Sequence, residues 1–474
     1  MDLYRNILVG SLIGDSTTAK VVLSYLKKSY NSIPVEPSHL INEFGYSIPF
    51  HGREDLLLET KKLFDFRWQN RTTRDGTSHK IGIIGGCSGI GKSRALVEIA
   101  KSIVKWKIEN QWCFQIVISY NNDNPPILDR LLSSASTALA FRILYFSFIA
   151  GNKSIHQSFE TFVNLFPKML MVGLTPEIAI QAVELHMYEQ CGHSNGVIFI
   201  GLDEVDNLLG EEDNRSFMKS TLIALKGVML IPDKFIFVVI AAKTILPIKS
   251  VFDQYGLVPQ LLPIKLLRGD QCEKIVEEMV PFSSAEWRSC RAFRTLLADF
   301  GSLPRKAEIF LSLVNIKLSE GIALVDIDYE TIGCQLIGTS SSFPATVGKL
   351  AELAEHLVSD ILLATKVKRE NIVDVAVNDF TYGELESLGV IALETSIDTH
   401  LTVQMPYYQF RALVEIMNGE DPLTKSLRKI CNIVQCEEEF GMLSWQTFED
   451  FNVKIEACRE MLTSAEKYLT IHLV

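Results

Sequence analysis

The stretch Gly86-Cys-Ser-Gly-Ile-Gly-Lys-Ser93 matches the pattern G-x-x-x-x-G-K-[S/T] at every position. A short apolar run, Ile81 to Ile84, precedes it, and a helical pattern from Gly91 to Val104 follows it. In this strand–loop–helix context, the backbone N–H groups of the loop surround the phosphates of a nucleotide. The sequence therefore predicts a P-loop protein that binds ATP or, with less support, GTP. A chance match in a glycine-rich turn is the alternative.

Each part of the loop has a predicted role. The glycines let backbone N–H groups turn inward around the β-phosphate, and Lys92 supplies a point charge on the β- and γ-phosphates. Ser93 offers its hydroxyl to Mg²⁺, and the N-terminal end of the following helix adds positive partial charge. We expect the whole loop and the residue after it to contact the nucleotide: Gly86, Cys87, Ser88, Gly89, Ile90, Gly91, Lys92, Ser93 and Arg94.

A pair of acidic residues, Asp203 and Glu204, follows the apolar run Val197 to Leu202. Asp203 is predicted to hold Mg²⁺ together with Ser93, and Glu204 is predicted to orient or deprotonate the attacking water. The alternative is a strand that ends in two solvated acids. Asp206 lies nearby and is interpreted as a helix cap.

Continuous apolar strands alternate with helical patterns through the middle of the chain. Strands are predicted at Cys113 to Ser119, Gly196 to Leu202 and Lys234 to Ala242, with a long helix from Leu128 to Phe148. This alternation predicts an α/β fold, a three-layer parallel sheet of the P-loop NTPase type with helices on both faces. Ligands of such sheets bind at the carboxyl ends of the strands, where both motifs lie.

Thr244 follows the last of these strands and is a candidate sensor of the γ-phosphate, with a solvated strand end as the alternative. No NKxD sequence appears where a GTPase would carry its base-recognition motif. The sequence therefore favours ATP over GTP, with Mg²⁺ as the accompanying cofactor.

The composition is that of a globular protein with about three domains. The 474 residues are 47% hydrophobic and 22% charged, and the net charge of −11 gives no field that would attract nucleic acid or an anionic membrane. Nine cysteines without a CxxC pair indicate reduced thiols and an intracellular location, in cytoplasm or nucleus. No apolar run reaches the length of a membrane span.

Four further stretches form an ordered series along the chain: Ile48 to Glu54 with the pattern FxGR, Ile118 to Asn122 ending in two asparagines, Ala140 to Tyr145 with Arg142, and Gly301 to Arg305, which is similar to a GxPR turn. Together they resemble the P-loop ATPase module of Crinkler effectors and of the related trypanosome retrotransposon hot spot proteins. The resemblance implies an AAA-like or STAND-like ATPase.

The same resemblance assigns roles to two arginines. It implies that Arg53 contacts the nucleotide and that Arg305, at the start of a lid helix, meets the γ-phosphate. Arg305 therefore joins Lys92, Asp203 and Glu204 as a catalytic candidate. For Arg53 and Arg305 alike, a plain surface arginine is the alternative. Arg142 lies in an apolar aromatic helix and needs a buried partner.

Four parts are predicted along the chain: a short N-terminal segment (1–46), a P-loop NTPase domain with a helical lid (47–337), a winged-helix-like domain (345–417) and a C-terminal helical tail (423–474). Val358 to Leu413 resembles the winged-helix segment of the same family. Between Ile361 and Ile416 there are four Lys or Arg and eight Asp or Glu, a net charge of −4. This balance argues against binding to DNA phosphates, so an interaction or structural module is expected.

The tail contains Trp445 to Phe451, which resembles the first helix of a nuclease-like domain with Glu449 as a first carboxylate. The later acids fall within one helical stretch with no opposing element, so we expect no cleavage of nucleic acid. A solvated amphipathic helix is the alternative. The first residues lack a clear LxLFLAK-type header, which bears on whether the protein is secreted to act in a host nucleus, as the resemblance to effectors implies.

Three functions from different classes remain open. The first is an ATP-driven switch or slow ATPase of the Crinkler type. The second is a protein that holds nucleotide without hydrolysis and interacts with a protein partner. The third is a DNA-acting factor related to mobile elements. The expected partners are ATP and an unidentified protein, with a nucleotide-dependent homo-oligomer as one possibility and no membrane association.

Overall fold

The computed structural model describes residues 15–30, 48–73, 75, 78–106, 111–121, 132, 134–150, 157–208, 214–279, 282, 286–338, 353–373, 380–388, 390–395, 401–417, 424–428 and 458. Two of the predicted parts lie largely outside this set: most of the N-terminal segment (1–46) and most of the C-terminal tail (423–474), including Trp445 to Phe451.

The chain forms two compact units. The first comprises residues 1–42, 55–85 and 92–262, and the second comprises 43–54, 86–91 and 263–474. The predicted four-part division stays a prediction. The first segment of the chain shares a unit with the sheet, and the lid helices share a unit with the small domain.

The first unit is built on a five-stranded parallel sheet with the order β2-β3-β4-β1-β5. Its strands are β1 Ile81–Gly85, β2 Trp112–Ser119, β3 Gly196–Asp203, β4 Phe235–Ala242 and β5 Pro259–Leu262. All eight residues of β4 are buried, as a sheet covered on both faces requires. The predicted α/β P-loop NTPase fold is confirmed. The short strand β5 was not predicted, because only one of its four residues is buried.

Nine helices accompany this sheet among the described residues: α1 Asp15–Ser29, α2 Glu54–Gln69, α3 Lys92–Trp106, α4 Ala135–Phe148, α5 Phe159–Leu165, α6 Lys168–Met171, α7 Pro176–Cys191, α8 Asn214–Met229 and α9 Leu246–Tyr255. The helix predicted from Leu128 begins only at Ala135. Ser134 has an extended backbone and its side chain accepts the N–H of Thr137, which is the geometry of an N-cap.

Helix α1 belongs to the hydrophobic core of the first unit. Val22, Leu23 and Leu26 are buried in that core. The Tyr25 hydroxyl donates to the Leu165 carbonyl at 3.1 Å, and its ring packs edge-on against Phe166. This helix was not predicted, because polar residues interrupt its apolar pattern within the N-terminal segment (1–46).

The second unit contains the helices α10 Gly269–Glu278, α11 Glu286–Ser289, α12 Arg291–Phe300, α13 Pro304–Ser319 and α14 Tyr329–Gly338. Phe293 is fully buried, and its ring contacts the rings of Phe282, Trp287, Phe310 and Tyr329. Helix α13 begins at Pro304, as predicted for a proline in a first helical turn.

The same unit ends in a small α+β module. Its elements are α15 Ala354–Leu363, β6 Lys366–Val367, α16 Tyr382–Ser387, β7 Ala392–Thr395, β8 Leu401–Gln404 and α17 Tyr407–Ile416. The strands form an antiparallel sheet with the order β6-β8-β7. Strand β8 is the central strand, and Pro406 precedes the first turn of α17. That this module is a winged helix stays a prediction. Within the described residues, no helix combines the length and apolarity that crossing a bilayer requires.

Candidate nucleotide site

Asp203 is the last residue of β3, at the carboxyl edge of the parallel sheet. It is paired in register with Ser119 at the end of β2, and it is 4% exposed. Burial raises the pKa of Asp203 to about 6 and outweighs the hydrogen bond from Ser93, while the charge of Glu204 raises it further and that of Lys92 lowers it. Burial therefore outweighs the hydrogen bonds that Asp203 accepts, and a buried anionic oxygen of this kind suits a cation ligand.

Lys92 and Ser93 open helix α3, and both lie close to Asp203. The Ser93 side chain is hydrogen-bonded to the Asp203 carboxylate, and the charge of the buried Lys92 acts on the same group. A hydroxyl and a carboxylate are oxygen donors of the kind Mg²⁺ prefers. Among the described residues, no cluster of three or more His, Cys, Asp and Glu could hold a metal by itself. Two protein donors suit Mg²⁺, which usually keeps water and phosphate oxygens as further ligands.

Glu204 has an uncommon backbone conformation, with φ at +54°. Its N–H donates to Asp203 Oδ1 at 3.1 Å, so a hydrogen bond joins the two acidic residues. Its carboxylate oxygen Oε2 accepts a hydrogen bond from Asn207 Nδ2 at 3.0 Å. The candidate base therefore has a defined partner, which spacing along the chain did not reveal.

Asp206 lies in the short 3₁₀ turn Val205–Leu208 that follows Glu204. Its Oδ1 accepts the backbone N–H of Lys243 at 2.9 Å. It therefore ties the turn after β3 to the residue after β4, and the interpretation as a helix cap is wrong. Thr244 comes directly after this fixed point and is partly buried. Its role at a γ-phosphate stays a prediction.

The first six residues of the loop, Gly86 to Gly91, belong to the second unit. Gly89 and Gly91 have φ of +83° and +100°, a region that side chains rarely adopt. A Cβ on Gly89 would also approach the Cβ of Arg305 to 3.2 Å. Both glycines are therefore required by conformation, and Gly89 also by a close neighbour.

The Arg53 side chain contacts the backbone of the loop. Its guanidinium donates to the Ile90 carbonyl at 3.0 Å and to the Gly52 carbonyl at 3.1 Å. Burial lowers the pKa of Arg53 to about 10, and the side chain is 4% exposed. In this structure, the Arg53 side chain therefore binds a carbonyl oxygen of the loop, that of Ile90.

Arg305 reaches the same loop from helix α13. Its backbone N–H donates to the Gly89 carbonyl at 3.1 Å. Its guanidinium donates to the carboxylate of Glu308, one helical turn later, at 3.1 Å. The first turn of the predicted lid helix therefore touches the phosphate loop, and the Arg305 side chain is one third exposed.

The remaining residues that were predicted to contact the nucleotide differ in solvent exposure. Cys87 and Ile90 are buried, and Ser88 is exposed. Arg94, on α3 in the first unit, forms an ion pair of 2.9 Å with Glu98 along the same helix. The Arg94 side chain is therefore engaged on its own helix in this structure.

Two contributors to the strand edge were not among the predicted site residues. Asn207 links Glu204 to the carbonyl of Tyr120 after β2. Arg142 is fully buried in α4; its guanidinium donates to the Ser119 carbonyl at 2.9 Å and stacks on the Tyr120 ring at 4.2 Å. The buried partner that an arginine in an apolar helix requires is thus the end of β2.

No family model and no curated protein matches the chain. Solved structures give weak likenesses. The ORC2 protein of Aeropyrum pernix, in ADPNP–ADP complexes, has a TM-score of 0.41 at 13% identity, covering 79% of this chain and 96% of that one. The ORC1 protein of the same organism, in complex with DNA, has 0.36 at 14%, covering 79% and 95%. AMPPCP-bound DnaA from Aquifex aeolicus has 0.29 at 12%, covering 92% and 96%.

The fold assignment rests on this chain's own features. The loop lies between β1 and α3, the sheet is parallel, and β3 ends at Asp203, which Glu204 follows. These features give the chain the fold of an α/β P-loop NTPase.

Proposed function

We propose that the chain binds Mg-ATP and hydrolyses it slowly, as a nucleotide-driven switch. The observation that carries the proposal is the buried Asp203, hydrogen-bonded to Ser93 of the phosphate loop and held at the end of β3. A loop of this pattern with an adjacent desolvated carboxylate is the arrangement that phosphoryl transfer requires.

Each residue has a distinct task in this proposal. The loop N–H groups and Lys92 bind the β- and γ-phosphates. Ser93 and Asp203 would hold Mg²⁺, which when bound neutralises charge on the phosphate oxygens. Glu204 accepts a proton from the attacking water. Thr244 remains a candidate contact for the γ-phosphate.

The finer assignment is a switch or effector ATPase of the Crinkler and retrotransposon hot spot type. Its support is the ordered series of motifs, two of which include residues that contact the phosphate loop. Arg53 donates to the Ile90 carbonyl, and Arg305 donates through its backbone to Gly89. In the proposal Arg53 keeps the loop in shape, and Arg305 moves from Glu308 to the γ-phosphate when ATP binds.

The nucleotide site is tested by calorimetric titration of the full chain with ATP and with GTP, in Mg²⁺ and in EDTA. We expect Mg²⁺-dependent binding of ATP and at least ~10-fold lower affinity for GTP, as the missing GTPase motif implies. Lys92→Ala removes the main point charge on the phosphates and should abolish measurable binding. Lys101→Ala, an exposed lysine paired with Glu98 on the same helix, is the matched control and should bind as the wild type does.

Circular dichroism and thermal melting establish that the Lys92→Ala protein is folded. A folded Lys92→Ala protein with the ATP affinity of the wild type would contradict the site assignment. Equal affinity for GTP and ATP would contradict the choice of nucleotide and leave the site itself standing.

A further inference from the structure

The amide of Asn207 joins the candidate base to a neighbouring strand. Asn207 Nδ2 donates to Glu204 Oε2 at 3.0 Å and to the Tyr120 carbonyl oxygen at 2.8 Å. A side-chain amide nitrogen carries two N–H bonds, so it can serve both acceptors. A carboxylate and a backbone carbonyl can only accept, and this fixes the nitrogen of the amide on their side.

The carbonyl that Asn207 uses is itself held in place. The Tyr120 N–H donates to the Asp203 carbonyl at 3.1 Å, which extends the pairing of β2 with β3 by one residue. The Tyr120 ring lies under the guanidinium of Arg142, which also stacks on Phe159 at 4.6 Å. Arg142 is 0% exposed and donates to the Ser119 carbonyl. The end of β2 is therefore a fixed anchor.

The backbone around Glu204 is equally constrained. The Asn207 N–H donates to the Glu204 carbonyl at 2.9 Å, and the Glu204 N–H donates to Asp203 Oδ1. Glu204 is one of three residues other than glycine with positive φ among the described residues. Strained backbone of this kind persists where the surrounding contacts over-determine it, and it clusters at functional sites.

We propose that Asn207 is a positioning residue for Glu204. Asn207 holds Oε2, so that Oε1 accepts the proton of the attacking water. As that proton passes to Glu204, the water oxygen bonds to the γ-phosphorus and the bond to the ADP oxygen breaks, giving ADP and phosphate. This inference rests on the proposed function, because it requires Glu204 to be the base.

A purely structural role for Asn207 makes a different prediction. If Asn207 only stabilised the turn, its loss would lower stability and would slow the reaction independently of Glu204. If Asn207 acts through Glu204, its loss has no further effect once the Glu204 carboxylate is gone. A double-mutant cycle separates the two cases.

The test measures steady-state ATP turnover by the full chain and by Asn207→Ala, Glu204→Gln and the double variant. We expect Asn207→Ala to lower kcat ~10- to 100-fold, as misplacement of a catalytic group by about 1 Å does, with KM changed less than about twofold. Asn207→Asp is nearly isosteric but cannot donate, and should lose at least as much. The double variant should be no slower than Glu204→Gln. Asn70→Ala, whose side-chain amide donates to the Phe66 carbonyl, is the control.

The outcomes separate this inference from the proposed function. Equal turnover by Glu204→Gln and the wild type would refute the base and with it both proposals. A slow Glu204→Gln protein beside folded Asn207→Ala and Asn207→Asp proteins of normal kcat would overturn the role of Asn207 alone. A double variant whose loss is the product of the two single losses would also overturn it.

Discussion

Two buried carboxylates, one in each compact unit, are treated in opposite ways. Glu386 in the small α+β module is 2% exposed, and Arg369 binds both its oxygens, at 2.7 and 3.3 Å. Its Oε1 also accepts the Leu393 N–H at 3.4 Å. Asp203 at the edge of the parallel sheet is 4% exposed, and burial dominates its environment enough to raise its pKa to about 6. The chain's own bonds satisfy both oxygens of Glu386, whereas burial outweighs the bonds that Asp203 accepts.

The difference indicates where function lies. A carboxylate that the chain fully pairs stabilises the arrangement of elements around it, and removing it damages the fold. A carboxylate that the chain buries without full compensation lowers stability, and such a cost is common at functional sites. The next predictions test this contrast.

The largest expected effect on stability is at Glu386. Glu386→Ala leaves the Arg369 guanidinium, whose side chain is 11% exposed, without its partner, and breaking such a nearly buried pair costs about 3–5 kcal/mol. We expect a lowered melting temperature of the second unit, measured by calorimetry. Glu384→Ala, in the exposed first turn of the same helix, should cost about 1 kcal/mol through loss of its capping box. A Glu386→Ala protein as stable as the wild type would remove the structural half of the contrast.

Replacement of Asp203 should raise the stability of the nucleotide-free protein, in contrast to replacement of Glu386. The Asp203 pKa of about 6 lies above the ordinary 3.8, so the folded state prefers the protonated acid. The stability that this preference contributes is fully present below about pH 4 and is lost as the pH rises through 6. Asp203→Asn should therefore stabilise the nucleotide-free protein at pH 7.5, by at most about 3 kcal/mol, and by almost nothing at pH 4.

Thermal melting in EDTA at the two pH values measures this effect. The same Asp203→Asn variant should lose Mg²⁺-dependent ATP binding, since an amide is a poorer ligand for the ion. A destabilised Asp203→Asn protein at pH 7.5 would contradict the account of Asp203 as an uncompensated carboxylate.

The smallest expected effect concerns nucleic acid. The segment from Ile361 to Ile416 has a net charge of −4, and Arg369 within it is paired with Glu386. Because phosphate contacts dominate binding to duplex DNA, we expect none by the full chain at physiological salt, measured by fluorescence anisotropy. Salt-sensitive binding with a Kd below ~1 µM, lost when Lys366 and Lys368 are replaced by Glu, would show that the small module reads nucleic acid.

The features that could be predicted from the sequence are those that depend on residues close together along the chain. The loop motif, Asp203 and Glu204 could be proposed from the sequence because their chemistry depends on spacing within a few positions and on the apolar runs before them. Four of the five strands of the parallel sheet were also predicted, since continuous apolar runs mark buried parallel strands. The four-residue β5 has one buried residue and gives no such signal.

The contacts that set the geometry of the site could not be predicted in the same way. The Asn207 amide and the Tyr120 carbonyl are 87 positions apart, and Arg53 and the Ile90 carbonyl are 37 positions apart. Side chains that bind backbone carbonyls leave no residue-type signature at the acceptor, because every residue has a carbonyl. The early requirement for a partner of Arg142 was correct, but only the fold identifies the Ser119 carbonyl as that partner.

The most direct test of the central claim is ATP turnover by the wild type beside Glu204→Gln, in Mg²⁺, with phosphate release as the readout. The substitution keeps the shape of the side chain and leaves Asp203 in place. We expect slow hydrolysis by the wild type, ATP affinity retained in the variant, and turnover lowered by ~10²- to 10⁴-fold, the usual cost of losing a general base. Equal turnover in the two proteins would contradict the central claim.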